Sequence, residues 1–238
     1  MRVLIDGDVL SYRVAFSAKD EDAVTACNKM DELIRNLKEF IDPFKLVPTS
    51  AYSFYLTGKG NFRHDVAKTA LYKGNRKDVE RPQHLHVLRQ YLVDQYDAEV
   101  SDGVEADDLI ATAAAKELYN KVLIVSTDKD FNQLPVSILN PTKMEITVVS
   151  PWEATKNFYM QILTGDRVDN ILGIHGIGPI KAAATLEGCD SPVAMYWACV
   201  EAYRHVCDHP EDRVLENAQL LWLRRFEGQM WEPPIATA

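Results

Sequence analysis

Apolar positions along the chain alternate between two spacings. Short runs read as buried strands: RVLID at 2–6, the alternating AYSFYL at 51–56, YDAEV at 96–100 and VLIV at 122–125. Residues 136–139 and 145–149 are two further candidates, spaced as a hairpin. Between the strands lie helical patterns. Residues 20–41 place apolar side chains at 23, 26, 30, 33, 34, 37, 40 and 41, and Asp42-Pro43 stops that helix. A helix from Pro82 to Asp94 has proline in its first turn, and another opens at Glu105 and ends near Asn120. A short helical turn begins at Asp130. Further helices are expected over 151–163, 191–206 and 211–226, with a disordered tail from Pro233. Strands alternating with helices predict an α/β fold with a mostly parallel sheet.

In such sheets ligands bind beyond the carboxyl ends of the strands. The acids collect at those positions. Asp6 closes the first strand, and Asp128 and Asp130 follow the run 122–125. Glu105, Asp107 and Asp108 open a helix, with Glu105 and Asp108 on one face. Asp166 and Asp169 bring the set to eight carboxylates from four segments. Taken singly, each is explained by a helix cap or a turn. Taken together, so many like charges converge only around cations. Hard oxygen ligands select Mg²⁺ or Mn²⁺ over zinc, and two such ions could activate water and stabilise a leaving oxygen in phosphodiester hydrolysis.

Net charge qualifies this picture. The chain of 238 residues carries a formal charge of −9, which opposes binding to a phosphate backbone. The segment from Lys59 to Arg89 is the exception, with eight Lys/Arg against three acids. Within it, YKGNRK at 72–77 offers Tyr72 to stack on a base and Lys73 and Arg76 to hold phosphate. The segment GIHGIGPIKAA at 173–183 has the pattern of a helix-hairpin-helix, in which Gly176 and Gly178 bring backbone N–H groups to a phosphate and Lys181 adds charge. Such a device grips duplex DNA without reading sequence. The apolar runs are too short to span a membrane, and MRVLIDGDVL has no signal-peptide character. Four cysteines without CxxC spacing read as reduced thiols of an intracellular protein.

Two other chemistries share parts of the pattern. Asp6-x-Asp8 after a strand, VLIVST and a later Gly-Asp resemble haloacid-dehalogenase-type phosphatases, but Asp166 and Asp169 are too closely spaced for that family, and Glu105, Asp107, Asp130 and GIHGIGP stay unexplained. His205-x-Cys207-x-His209 suggests zinc, but it lacks a second ligand cluster and precedes Pro210.

VEADD at 104–108, STDKDFNQL at 126–134 and GDRVDNILGIHGIGPIKA at 165–182, with IDGD at 5–8 and YKGNR at 72–76 in order, resemble the 5′-nuclease family. That family spans flap endonucleases, the 5′-nuclease domain of bacterial DNA polymerase I and phage 5′→3′ exonucleases. The small size and QLLWLRRFE near the C-terminus look most similar to the phage enzymes. The resemblance implies a PIN-like nuclease core over 1–164 and a helix-hairpin-helix with C-terminal helices over 165–238. It implies two Mg²⁺ or Mn²⁺ ions, the first held by Asp6, Glu105 and Asp107. Asp107 would bridge to a second, held with Asp128, Asp130, Asp166 and Asp169, with Asp108 behind them. Tyr72, Lys73 and Arg76 would contact DNA, and the hairpin with Gly176, Gly178 and Lys181 would grip it, with K⁺ at its carbonyls. The expected partner is DNA at 5′ ends, flaps and duplex, with RNA primers in hybrids as further substrates. The expected setting is a monomer in the cytoplasm of a bacterial or phage-infected cell. Two departures stand out. Family members carry an acid after the second core strand, where this chain reads Leu56-Thr57-Gly58-Lys59, leaving Asp65 as a substitute. The segment from Arg76 to Val104 is short for an arch that threads 5′ ends. The alternative reading is a DNA-binding module with a degenerate active site.

Overall fold

The computed structural model describes residues 1–44, 46–76 and 80–234; Lys77 of the basic stretch and residues 235–238 of the expected tail lie outside them. The chain opens with β1 (Arg2–Asp6), α1 (Gly7–Ser17), α2 (Ala23–Ile41), β2 (Tyr52–Lys59) and the one-turn α3 (Arg63–Val66). It continues with α4 (Leu85–Tyr96), β3 (Glu99–Asp102), α5 (Ala106–Lys116), β4 (Val122–Val125), β5 (Ser137–Asn140) and β6 (Glu145–Val148). The remainder is α6 (Pro151–Thr164), the two-residue strands β7 (Gly165–Asp166) and β8 (Ile171–Leu172), α7 (Pro179–Thr185), α8 (Pro192–Arg204) and α9 (Pro210–Leu221).

These elements form two compact units, cut differently from a single break after residue 164. The first comprises Met1–Asn61, Glu80–Phe131 and Val136–Val149. The second comprises the described residues of Phe62–Val79, Asn132–Pro135 and Ser150–Ala238. The basic stretch and α6 therefore belong with the C-terminal helices, because their buried side chains pack there.

The first unit is a six-stranded sheet in the order β3-β2-β1-β4-β5-β6. Pairings from β3 through β5 are parallel, and β6 closes the edge antiparallel to β5. Ile5 of β1 stands level with Phe54 of β2 and Val125 of β4. Every residue of β4 is buried, as expected for a central parallel strand with both faces covered. Helix α2 buries Ala26, Met30, Ile34 and Leu37, a single stripe at helical spacing. They join Leu10 and Val14 of α1 and Leu88 and Leu92 of α4 in one apolar core with Val3, Ile5 and Leu56. Each such fully buried aliphatic side chain stabilises the fold by roughly 1.5–3 kcal/mol.

The second unit buries Phe158 and Ile162 of α6, Met195 and Val200 of α8, and Val214, Ala218 and Leu221 of α9. Arg63 is 2% exposed and donates to the Leu220 and Trp222 carbonyls at 2.8 and 2.9 Å. Trp231 packs on the rings of Phe158 and Tyr196, so the core of the second unit takes in a residue that follows α9 by ten positions. Gly165 and Gly173 cross so closely that a Cβ on Gly165 would lie 2.3 Å from the Gly173 nitrogen. Cys27, Cys189, Cys199 and Cys207 are free thiols. No helix among the described residues is long and apolar enough to cross a membrane.

Candidate active site

In the first unit, the carboxyl ends of the parallel strands gather the acids. Asp6 ends β1 and caps α1, its Oδ1 accepting the Val9 N–H at 3.0 Å. The Ser126 hydroxyl, just past β4, donates to Asp6 Oδ2 at 2.8 Å and accepts the Asp128 N–H at 3.0 Å. Asp128 Oδ1 in turn accepts the Asp130 N–H at 2.8 Å. One hydroxyl thus fixes the end of β1 to the loop after β4. Glu105 and Asp108 form a capping box at the start of α5, with the Glu105 N–H bonded to Asp108 Oδ2 at 3.3 Å. Asp108 is 1% exposed, and its side chain serves in that cap at the Glu105 N–H. Thr57, at the end of β2, holds the same helix start through its hydroxyl, which accepts the Ala106 N–H at 3.1 Å.

The electrostatics are those of a crowded anionic site. Burial pushes the Asp6 carboxyl up to about 6, with the charge of Asp128 adding to the rise. Hydrogen bonds from Val9 and Ser126 and the charge of Arg89 act against it. Asp107 is held well above the usual carboxylate range by burial and by the charges of Asp6, Asp128, Glu105 and Asp130. Each of these charges is a hard oxygen donor, the donor type that Mg²⁺ and Mn²⁺ take. By donor chemistry, these residues therefore fit a divalent cation. Among the described residues, no three His, Cys, Asp or Glu side chains stand grouped closely enough to hold an ion, the zinc pattern at 205–209 included.

In the second unit, Asp166 and Asp169 have separate tasks. Asp166 is 4% exposed, and its Oδ1 accepts the N–H groups of Val168 and Asp169 at 2.7 and 3.1 Å. Asp169 is the hub of the basic stretch. Its carboxylate accepts from the Tyr72 hydroxyl at 2.8 Å and from Arg76 at 2.7 Å, with Lys73 Nζ at 3.8 Å. Its carbonyl accepts the Lys73 N–H at 2.9 Å. Lys73 is held in the left-handed region at φ 52°. Asn75 donates to the Arg167 carbonyl and Asn170 to the Leu71 carbonyl, so residues 71–76 are fastened to 167–170.

This placement corrects one expectation. Tyr72 is 4% exposed, its ring edge-on to His64 and its hydroxyl on Asp169, so it buttresses the basic stretch and presents no face to a base. Lys73 and Arg76 keep part of their surface in solvent, at 26% and 42%. Gly176 has φ +79°, a backbone only glycine adopts readily, and neither it nor Gly178 has an atom within 4 Å of an added Cβ. Lys181 lies exposed on α7. Asp65 lies exposed in α3. Sequence reasoning passed over Ser126, Thr57, Arg63 and Glu216, polar residues whose partners lie far along the chain.

A mostly parallel sheet flanked by helices, with acids at its strand ends, is the architecture of PIN-like nucleases. The family model for the 5′-3′ exonuclease N-terminal, resolvase-like domain matches residues 1–160, and the chain belongs to that family. It is 30% identical over 208 residues to DNA polymerase I of Bacillus caldotenax, covering 78% of this chain but 23% of the polymerase. The chain thus spans about a quarter of the length of the polymerases it matches. It is 37% identical over 111 residues to flap endonuclease Xni of Shewanella frigidimarina, 42% of each chain. Its fold matches that of the phage T5 5′-exonuclease solved with bound zinc, at a TM-score of 0.66 and 20% identity, covering 92% of this chain and 88% of that one. A T5 flap endonuclease solved with DNA and metal ions matches at a TM-score of 0.64 and 22% identity.

Proposed function

We propose that this chain is a divalent-metal-dependent 5′ nuclease, a 5′→3′ exonuclease and flap endonuclease that hydrolyses DNA phosphodiesters. The observation that carries this is the Asp6–Ser126–Asp128 chain of hydrogen bonds beside Asp107, whose carboxyl is held well above the usual range by burial and then by its acidic neighbours. Asp6, Glu105 and Asp107 would hold one Mg²⁺ or Mn²⁺, and Asp107, Asp128 and Asp130 a second. Bound there, the ions would lower the pKa of a water and stabilise the charge on the leaving oxygen. Ser126 keeps Asp6 and Asp128 in register, and the Glu105–Asp108 capping box keeps Glu105 at the head of α5. Lys73 and Arg76, oriented by Asp169, would meet backbone phosphate, and the 173–178 turn with Lys181 would grip duplex as a helix-hairpin-helix. The finer reading extends to K⁺ at that turn, to RNA primers in hybrids and to action as a monomer.

The test is cleavage of a 5′-labelled flap duplex and a matching blunt duplex with Mg²⁺, Mn²⁺ or EDTA. Metal-dependent release of short 5′ products is expected from the parent, with Asp128→Ala binding DNA but not cutting it. Cleavage by Asp128→Ala equal to the parent's would remove the two-metal assignment. A second reading, a DNA-binding module without cleavage, draws on the missing acid at Thr57; DNA binding without products in either metal would favour it.

A further inference from the structure

Each acid-bearing strand end carries its own carboxylates, but β2 ends in Leu56-Thr57-Gly58-Lys59 and has none of its own. The structure brings one there from elsewhere. Asp8, in the first turn of α1, places Oδ2 on the Thr57 N–H at 2.8 Å. Arg89, from the middle of α4, meets it with an ion pair to Asp8 and a hydrogen bond to the Thr57 carbonyl. Asp8 and Arg89 are both largely shielded, with side chains 20% and 25% exposed. Asp6 lies two residues before Asp8, close enough for the charge of Arg89 to act on it. The ion pair of Arg89, however, is with Asp8.

An arginine next to a carboxylate that must hold a divalent cation is a competitor. Its planar fork matches a carboxylate in two places and it never loses its charge. We propose that Asp8 is a positioning residue: together with Thr57 it anchors Arg89 at the end of β2, keeping the guanidinium off Asp6 and leaving that carboxylate to the cation. This rests on the metal-dependent reading above. Asn at position 8 can still accept the Thr57 N–H but no longer neutralises Arg89, which then turns to Asp6. A pair that merely ties α1 to α4 would affect stability alone.

The experiment is Mn²⁺ titration of the full chain at neutral pH, by calorimetry and by the spin-resonance signal of free Mn²⁺, for the parent, Asp8→Asn, Arg89→Met and the double variant. Asp8→Asn should bind Mn²⁺ about tenfold more weakly, the double variant within about twofold of the parent, and Arg89→Met no more weakly than the parent. Rescue by removing Arg89 is a readout that a structural tie would not produce. Asp8→Asn binding within about twofold of the parent, or a double variant as weak as Asp8→Asn, overturns the proposal while the nuclease reading stands. If Asp8→Asn fails to fold by circular dichroism, Arg89→Met decides: unchanged or tighter binding supports the proposal, and a drop of about fivefold or more overturns it. A parent that binds no Mn²⁺ overturns both readings.

Discussion

Glu216 offers a quantitative test of how the basic stretch is held. Its side chain, 9% exposed, projects from α9 into the turn at 67–69. Oε1 accepts the N–H groups of Lys68 and Thr69, both at 2.7 Å, and Oε2 accepts the Thr69 hydroxyl at 2.5 Å. Arg213 stands 4.0 Å away. Burial acts to raise this carboxyl, but the bonds from Thr69 and Lys68 and the charge of Arg213 outweigh it and leave it below the usual Glu value. Glu216→Gln keeps the shape and removes the charge. A hydrogen bond to a charged group contributes roughly 1.5–3 kcal/mol and a neutral one roughly 0.5–1.5, so losing charge from three bonds costs about 3 kcal/mol. For a unit of this size that is a fall in melting temperature on the order of 10 °C. The pH dependence follows from the depressed carboxyl. Its contribution is complete above the unfolded value of about 4.3 and is lost as pH falls through the lower folded value. Parent and variant should therefore differ fully at neutral pH and converge in acid. Urea and thermal melts at both conditions measure this. A Glu216→Gln protein within about 0.5 kcal/mol of the parent at neutral pH, or a gap that persists undiminished in acid, would refute the reasoning.

The acid cluster predicts a second pH effect of opposite sign. Asp6 titrates near 6 in the fold against an ordinary value of 3.8, so stability in EDTA should fall by about 3 kcal/mol as pH rises through that window, and Mn²⁺ should raise the melting temperature more above it than below it. Asp169→Ala should loosen Lys73, Arg76 and Tyr72 together, weakening DNA affinity by about tenfold in a filter-binding or anisotropy assay, whereas Lys73→Ala alone should cost less. Gly165→Ala places a Cβ 2.3 Å from the Ile171 carbonyl at φ +66° and should abolish cooperative unfolding of the second unit, followed by near-ultraviolet circular dichroism.

What the sequence made legible follows from what periodicity encodes. The runs 2–6 and 122–125 coincide with β1 and β4 because both are buried apolar strands whose ends are marked by a polar residue. Helix α1 escaped because Asp6-Gly7-Asp8 reads locally as a turn, whereas Asp6 serves at once as the last strand residue and the helix cap. The third strand begins at Glu99, three residues later than expected, because α4 runs on to Tyr96 and Asp97 takes a left-handed cap at φ 52°. The acids were located because strand ends and helix starts are local features. The groups that orient them were not: Ser126 reaches Asp6 across 120 residues, Thr57 reaches Ala106 across 49, and Glu216 reaches Lys68 across 148. Asp169 shows why the same residue type resists a single reading. As a sequence symbol it is one more acid near Asp166; in the fold, its carboxylate meets Tyr72, Lys73 and Arg76, and a carboxylate saturated by cations has little charge left to offer a metal ion unless those partners give way.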